Sequence, residues 1–247
     1  MINYAHRGAS EYAPENTMSS FYLGLLQGAN GIETDVQRTK DGVLVLFHDD
    51  TVGRVSDGTG RVCDLTLAEM RRLRISGNVT TGFYDRIVTL REFLTAFAAY
   101  DISFAIELKG AGVEEETLQM VREFGILGKC TFTSFQLDYI RKIKQLEPQA
   151  RVGWLVREAD AATVETLRSI GGEEIAPFAG NIDEESLAAW RGLGLGVRAW
   201  GVGSVATMKH MCRLGVDGMT VNFPDRLFRY LAVVPGGGKD TQEERKA

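Results

Sequence analysis

Two short segments repeat a spacing that could do chemistry. Glu33 and Asp35 stand two residues apart in GIETDV (31–36), and Glu107 and Lys109 stand two apart in FAIELK (104–109). Both segments read as strands, and a two-residue step along a strand puts side chains on one face. Phe104, Ile106 and Leu108 would then face the other way. Two acids on one buried face cost on the order of several kcal/mol each when unpaired, so they need a cation. His6 and Arg7, side by side near the start of the chain, end a further strand. Three carboxylates (Glu33, Asp35 and Glu107) offer oxygen ligands that suit a hard divalent ion, magnesium or calcium, better than zinc. The plainer alternative is an ion-pair network with Arg7 and Lys109. It would be preferred for any one acid alone, but all of these groups together at strand ends favour a metal.

His48, in FHDDT (47–51), is the second of three histidines and follows an apolar run that would carry it to the same mouth. With His6 it forms a candidate general acid and general base pair, because imidazole titrates near neutrality. Arg7 and Lys109 supply fixed positive charge and donors for an anionic oxygen, a combination that suits phosphate. A divalent ion would stabilise charge building on a phosphoryl oxygen. The residues alone therefore point to metal-assisted phosphoryl chemistry and leave the substrate open. His210 falls on the polar face of a late helix and reads as surface.

The elements that must position these groups alternate along the chain. Strands are expected at 2–5, 31–36, 104–109, 130–134, 151–156, 174–178, 196–200 and 217–221. Helices are expected at 17–27 with Asn16 as N-cap, and at 89–99, 114–124, 137–146, 160–170, 183–193 and 205–214. About eight strand–helix repeats predict a closed (β/α)8 TIM barrel, whose functional groups lie at the C-terminal ends of the strands. An open doubly wound sheet is the alternative, but it has fewer strands, and no GxGxxG follows the first strand. VLVLFHDD (43–50) reads as one additional strand. Residues 51–88, with the amphipathic piece LTLAEMRRL (65–73), read as a small insertion after the second strand on the barrel's active face. A single domain over 1–234 and a flexible Gly-rich, charged tail over 235–247 complete the expectation.

Composition limits the function classes. The 247 residues are 44% hydrophobic, enough for a large core, and carry a net charge of -5. That balance speaks against non-specific nucleic-acid binding, which needs a basic face, yet allows an anionic substrate held by local positive charge. No apolar run approaches the ~20 residues of a membrane span, so no stable membrane insertion is expected. The N-terminus has neither the basic start nor the apolar middle of a signal peptide, so a cytoplasmic location is expected. Cys63, Cys130 and Cys212 are too widely spaced for a disulfide framework or a zinc site.

The motifs HRGAS (6–10), APENT (13–17), GIETDVQRTKDGVLVLFHDDTVGR (31–54), DGTGRV, DLTLAEMRRL and FAIELK, in this order, resemble the glycerophosphodiester phosphodiesterase family. Weaker matches, such as VRAWGV (197–202) and GVDGMTVNFPDRL (215–227), extend the resemblance over nearly the whole chain. The resemblance implies a TIM barrel with a small insertion. It implies hydrolysis of a small-molecule glycerophosphodiester to sn-glycerol 3-phosphate and an alcohol. It implies Mg2+ or Ca2+ held by Glu33, Asp35 and Glu107, an acid/base pair of His6 and His48, and Arg7 and Lys109 on the phosphate. Phospholipase C-type relatives suggest a cyclic phosphate, formed by the glycerol 2-hydroxyl and then opened by water. Glu15 and Asn16, in the PENT motif, would stand behind the site, Glu15 orienting Arg7 or a metal ligand. Trp200 would pack on the glycerol carbons or serve as a barrel-layer aromatic, and Phe135 is a weaker case of the same kind. The chain departs from the family's commoner pattern at Gly201 and Gly203, where Thr and Asn are frequent, and at Asn222, where an acid is frequent. Those departures bear on the glycerol or alcohol preference rather than on the reaction class. Two other readings stand beside this one. A lysophospholipase-type activity would use apolar insertion residues such as Val79, Phe83 and Tyr84 to receive an acyl chain. A binding protein would keep the phosphate site without turnover, and the two histidines argue against it.

Overall fold

Eight short runs rich in β-branched and aromatic residues form eight parallel strands, and each is followed by an amphipathic helix. The structure is a computed structural model that describes residues 1–77 and 82–233. The expected tail at 235–247 and Val79 lie outside the described residues. In chain order the elements are β1 (Ile2–His6), α1 (Met18–Leu26), β2 (Gly31–Arg38), β3 (Leu44–Leu46), α2 (Leu67–Met70), α3 (Leu90–Phe97), β4 (Ser103–Leu108) and α4 (Glu114–Glu123). They continue with β5 (Cys130–Ser134), α5 (Leu137–Leu146), β6 (Arg151–Val156), α6 (Ala161–Ser169), β7 (Glu174–Pro177), α7 (Glu184–Gly192), β8 (Gly196–Ala199), α8 (Val205–Leu214), β9 (Gly218–Val221) and α9 (Pro224–Val233). The strands run in the order β1-β9-β8-β7-β6-β5-β4-β2, and the β1–β2 pairing closes the barrel. This is the expected TIM barrel with one extra strand.

Alternation sorts each strand's side chains between two layers. Phe104, Ile106 and Leu108 of β4 point outward and pack with Phe21, Phe93 and Phe97 of the surrounding helices. Phe93 meets Phe104 edge to face at 5.9 Å, and Phe21 meets Phe93 at 4.8 Å. Burying each such side chain contributes about 1.5–3 kcal/mol. The inward layer is polar at several points. Arg198 on β8 is fully buried, and its Nε donates to Glu174 on β7 at 2.8 Å.

Local signals explain the helix starts. Thr89 with Glu92 and Asp183 with Ser186 form reciprocal caps, and the side chains of Asp160 and Ser204 accept from the backbone three residues on. The cap of α1 is Thr17, whose side chain accepts from the Ser20 amide, and not Asn16 as expected. Asn16 has a left-handed backbone (φ 57°) and turns its amide into the barrel instead. Helix α9 was not anticipated from the sequence. Pro224 at its first position is a recognised start signal, because proline's fixed φ suits the first turn and its missing N–H is not needed there.

The extra strand β3 is shorter than the expected 43–50. It runs antiparallel to the end of β2, with Val36 opposite Leu46 and Arg38 opposite Leu44. It stops because Gln37 Nε2 donates to the carbonyls of Phe47, His48 and Asp49, which curls the chain away from a ladder. The insertion has its own small core of Phe47, Val52, Met70, Ile75 and neighbours. Thr66 and Glu69 cap α2, the only regular helix in LTLAEMRRL. No helix among the described residues is long and apolar enough to cross a membrane.

Candidate active site

Strand register brings the acids together. His6 lies opposite Glu33 across β1–β2, and Asp35 lies opposite Glu107 across β2–β4. The inward face of three neighbouring strands thus carries His6, Glu33, Asp35 and Glu107, with Arg7 and Lys109 one residue beyond the ends of β1 and β4. Glu33, Asp35 and Glu107 are buried, and each offers a carboxylate oxygen within 4.8 Å of the others.

The turn after β1 is held from several sides. Arg7 adopts a left-handed backbone (φ 55°), a conformation that costs a non-glycine residue about 1–3 kcal/mol. Its amide donates to the Glu33 carbonyl at 2.9 Å and to Glu33 Oε2 at 3.1 Å. Its carbonyl accepts from the Asn16 amide at 3.0 Å and from Ser20 Oγ at 2.7 Å. Gly8 follows with φ 83°, and a Cβ there would lie 2.1 Å from Ser20 Oγ and 2.4 Å from the Ser20 carbonyl carbon. Gly8 thus lets the backbone approach helix α1 closely.

Arg7 and Lys109 flank the acids. Arg7 Nη1 donates to Glu15 at 2.9 Å. Its Nε stands 3.2 Å from Asp35 Oδ2, but misaligned, so that contact is charge attraction rather than a hydrogen bond. Lys109 Nζ is 2.9 Å from Glu107 Oε1 and 3.8 Å from Asp35 Oδ1. Asn16 Nδ2 donates to Asp35 Oδ2 at 2.9 Å, while Thr34 Oγ1 donates to Asn16 Oδ1 at 2.8 Å. Asp35 Oδ1 has no hydrogen-bond partner although it is buried.

The charge balance shows in the acidities. Burial works against the Asp35 charge, but Arg7 and Lys109 outweigh it and hold the carboxyl below its ordinary range. Burial and the Asp35 charge push Glu107 up to about 7 and drive Glu33 well above the usual carboxylate range. Three acids therefore compete for two cations, with one carboxylate oxygen left unpartnered. That donor set, oxygen only and short of positive charge, fits a hard divalent cation.

The two histidines approach from different elements. His6 Nδ1 lies 2.6 Å from Asn222 Oδ1, just past β9, and Nε2 lies 3.8 Å from Glu33 Oε2. Enclosure by protein and the nearby Arg7 lower the His6 pKa to about 3, although 31% of the side-chain surface still opens to the cavity. His48, beyond β3, has its Nδ1 2.5 Å from Asp49 Oδ1. Burial lowers its pKa as well, with Asp35 opposing. Arg54, in the insertion, pairs with Asp49 and donates to both Glu15 oxygens at 2.8 Å. A continuous chain of contacts thus runs from His48 through Asp49, Arg54, Glu15 and Arg7 to Asp35.

A cavity of about 620 Å³ opens above these groups, in the usual range of small-molecule sites of about 300–1,000 Å³. His6, Arg7, Glu33, His48 and Glu107 line one side, and Phe135, Leu155, Arg157 and Trp200 line the other. Trp200 Nε1 donates to the Val156 carbonyl at 2.9 Å, which fixes the ring in the mouth. The structure brings His6, Arg7, Glu33, Asp35, His48, Glu107 and Lys109 together, with Glu15 and Asn16 touching Arg7 and Asp35 from behind. His210 is exposed on α8. Sequence reasoning missed Asp49, Arg54, Arg157, Arg198 and Thr220. The two-residue step could have found three of them: Arg157 follows the inward Leu155, Arg198 precedes Trp200, and Thr220 precedes Asn222.

Comparison with known proteins agrees with this geometry. The chain is 32% identical over 229 residues to a glycerophosphodiester phosphodiesterase of Caldanaerobacter subterraneus subsp. tengcongensis, covering 90% of this chain and 94% of that protein. It is 31% identical over 236 residues to a glycerophosphodiester phosphodiesterase of Bacillus altitudinis, covering 90% of this chain and 95% of that one. It superposes on an Oleispira antarctica phosphodiesterase, solved in complex with the product sn-glycerol-3-phosphate, with a TM-score of 0.82 and 28% identity over 93% of this chain and 96% of that one. Residues 6–226 match the family model described as the glycerophosphoryl diester phosphodiesterase family. The chain belongs to that family and is a phosphoric diester hydrolase.

Proposed function

We propose that the protein hydrolyses glycerophosphodiesters to sn-glycerol 3-phosphate and an alcohol, with Glu33, Asp35 and Glu107 holding Mg2+ or Ca2+. The observation that carries this reading is the meeting of three buried carboxylates, two cations and two histidines in one mouth. When bound, the ion supplies Lewis-acid stabilisation of the phosphoryl oxygens. Arg7 and Lys109 bind the phosphate by charge-assisted hydrogen bonds and strengthen as negative charge builds. His6 donates Nδ1–H to Asn222, which leaves Nε2 as a proton acceptor. Burial lowers the His48 pKa, and the Asp49 carboxylate at Nδ1 opposes that shift and orients the ring to deliver a proton to the leaving alcohol. In this reading His6 takes the proton of the glycerol 2-hydroxyl as it attacks phosphorus, the alcohol leaves, and water then opens the cyclic phosphate with the two roles exchanged. Trp200 packs on the glycerol carbons. Asn16 and Glu15 hold Asp35 and Arg7 in place.

The test is release of sn-glycerol 3-phosphate from glycerophosphocholine or glycerophosphoethanolamine. Release with Mg2+ or Ca2+, abolished by a chelator and restored by the ion, is expected. No release from any such diester with any divalent ion would overturn the reading. Phe83 and Tyr84 of the insertion are about half exposed, at 49% and 52%, so an acyl chain has apolar surface to meet. Comparing a lysophospholipid with its deacylated diester separates the two substrate classes.

A further inference from the structure

The two halves of the mouth differ in kind. The half built on β1, β2 and β4 carries the phosphoryl chemistry. The half built on β5 to β8 is an aromatic wall with Arg157 at its edge and Arg198, already paired with Glu174, at its base. Trp200 packs edge to face against Phe135 at 5.1 Å and against Phe178 at 5.2 Å. Gly201, where the family more often has threonine, lets Phe178 stand there: a Cβ at Gly201 would lie 2.4 Å from the Phe178 ring, and its φ is 72°. Arg157 follows Leu155 by two residues, so it continues the inward face of β6 into the mouth. Its guanidinium carbon lies 5.9 Å from the Trp200 ring centroid. No acid among the described residues pairs with it, whereas Arg7 and Arg54 are each held by carboxylates.

An arginine in a substrate mouth with no acid to answer it acts on whatever charge the substrate brings. The phosphodiester and the glycerol are common to all substrates of the proposed reaction, and glycerol is uncharged. Only the alcohol varies in charge. The guanidinium stands over the Trp200 ring and repels a quaternary ammonium that approaches there. Its planar fork instead matches a carboxylate or a second phosphate.

We propose that Arg157, on its Trp200–Phe178 platform, sets the head-group preference of the site, favouring diesters whose alcohol carries an anionic group over those with only an ammonium. This inference rests on the phosphodiesterase reading above. Glycerophosphoserine and glycerophosphoethanolamine are the matched probes, because they differ by one carboxylate. The experiment measures kcat/KM for both with wild type, Arg157→Gln, Arg157→Lys and Arg157→Glu at fixed ionic strength. The wild-type preference for the serine diester is expected to be about two- to fivefold, the scale of a partly screened ion pair. Arg157→Gln should bring the ratio near one, Arg157→Lys should restore part of it, and Arg157→Glu should invert it. Arg157 is exposed, so its substitution spares the core, and thermal melting of each variant checks this. A serine-to-ethanolamine ratio unchanged in Arg157→Gln and Arg157→Glu overturns the proposal while the phosphodiesterase reading stands. Failure of the wild type to cleave either diester with any divalent ion overturns both.

Discussion

Replacing Glu107 with Gln tests the crowding of the carboxylates without relying on turnover. Glu107 ionises near pH 7 in the fold rather than near 4.5, because burial and the Asp35 charge disfavour its anion. Between those values the folded protein holds a proton that the unfolded chain releases, so metal-free stability falls as pH rises through that window and levels off above about 7. At about 1.4 kcal/mol per pH unit the loss amounts to about 3 kcal/mol. Glutamine keeps the shape and an acceptor for Lys109 but removes the charge. In chelator at pH 8, Glu107→Gln should therefore be about 3 kcal/mol more stable than wild type, a rise in melting temperature of roughly 6–12 °C for a chain of this size. Near pH 5 the difference should shrink to about 1 kcal/mol. Adding Mg2+ or Ca2+ should raise the melting temperature of wild type more than that of the variant, since the ion offsets the repulsion and loses a ligand. Thermal melts in chelator and in metal at pH 5 and pH 8 read all four conditions. Equal melting of the two proteins at pH 8 in chelator, or an undiminished metal response in the variant, would refute the reasoning.

Two other substitutions probe different links. His6→Ala should lower kcat on glycerophosphocholine by at least about 10²-fold, the scale of a lost general acid or base, and unchanged steady-state turnover would remove His6 from the chemistry. Gly8→Ala should destabilise the fold by about 3 kcal/mol or more, because it forces a Cβ onto the Ser20 backbone and a side chain into a left-handed conformation. Urea unfolding that shows wild-type stability would mean that α1 shifts freely to admit the methyl group.

The barrel was legible because its strands and helices carry their periods locally. Cys130–Ser134, Arg151–Val156, Leu137–Leu146 and Val205–Leu214 lie where the apolar pattern puts them, to the residue. The site was legible for a related reason. Acids two apart on a strand must share a face, and a barrel strand buries that face, so Glu33 with Asp35 and Glu107 with Lys109 announce their direction in one dimension. Errors arose where a side chain far along the chain decided the outcome. Gln37 ends β3 by capturing three carbonyls that a local reading assigns to a strand. Asn16 leaves the helix cap because Asp35 and Thr34 claim its amide.

What the sequence by itself determined, then, is the repeat of strand and helix, the inward direction of the acids, and the chemical type of the groups at strand ends. Register and closure decided the rest. Only the pairing of β1 with β2 sets His6 against Glu33, and only the pairing of β2 with β4 sets Asp35 beside Glu107. Only the folded insertion delivers Arg54 to Asp49 and Glu15. Only the curvature of the barrel brings Arg157 over Trp200, 43 positions away along the chain, without an acid to answer it. Distance and burial between such groups depend on contacts that no local spacing encodes, and they set the charge balance of the mouth.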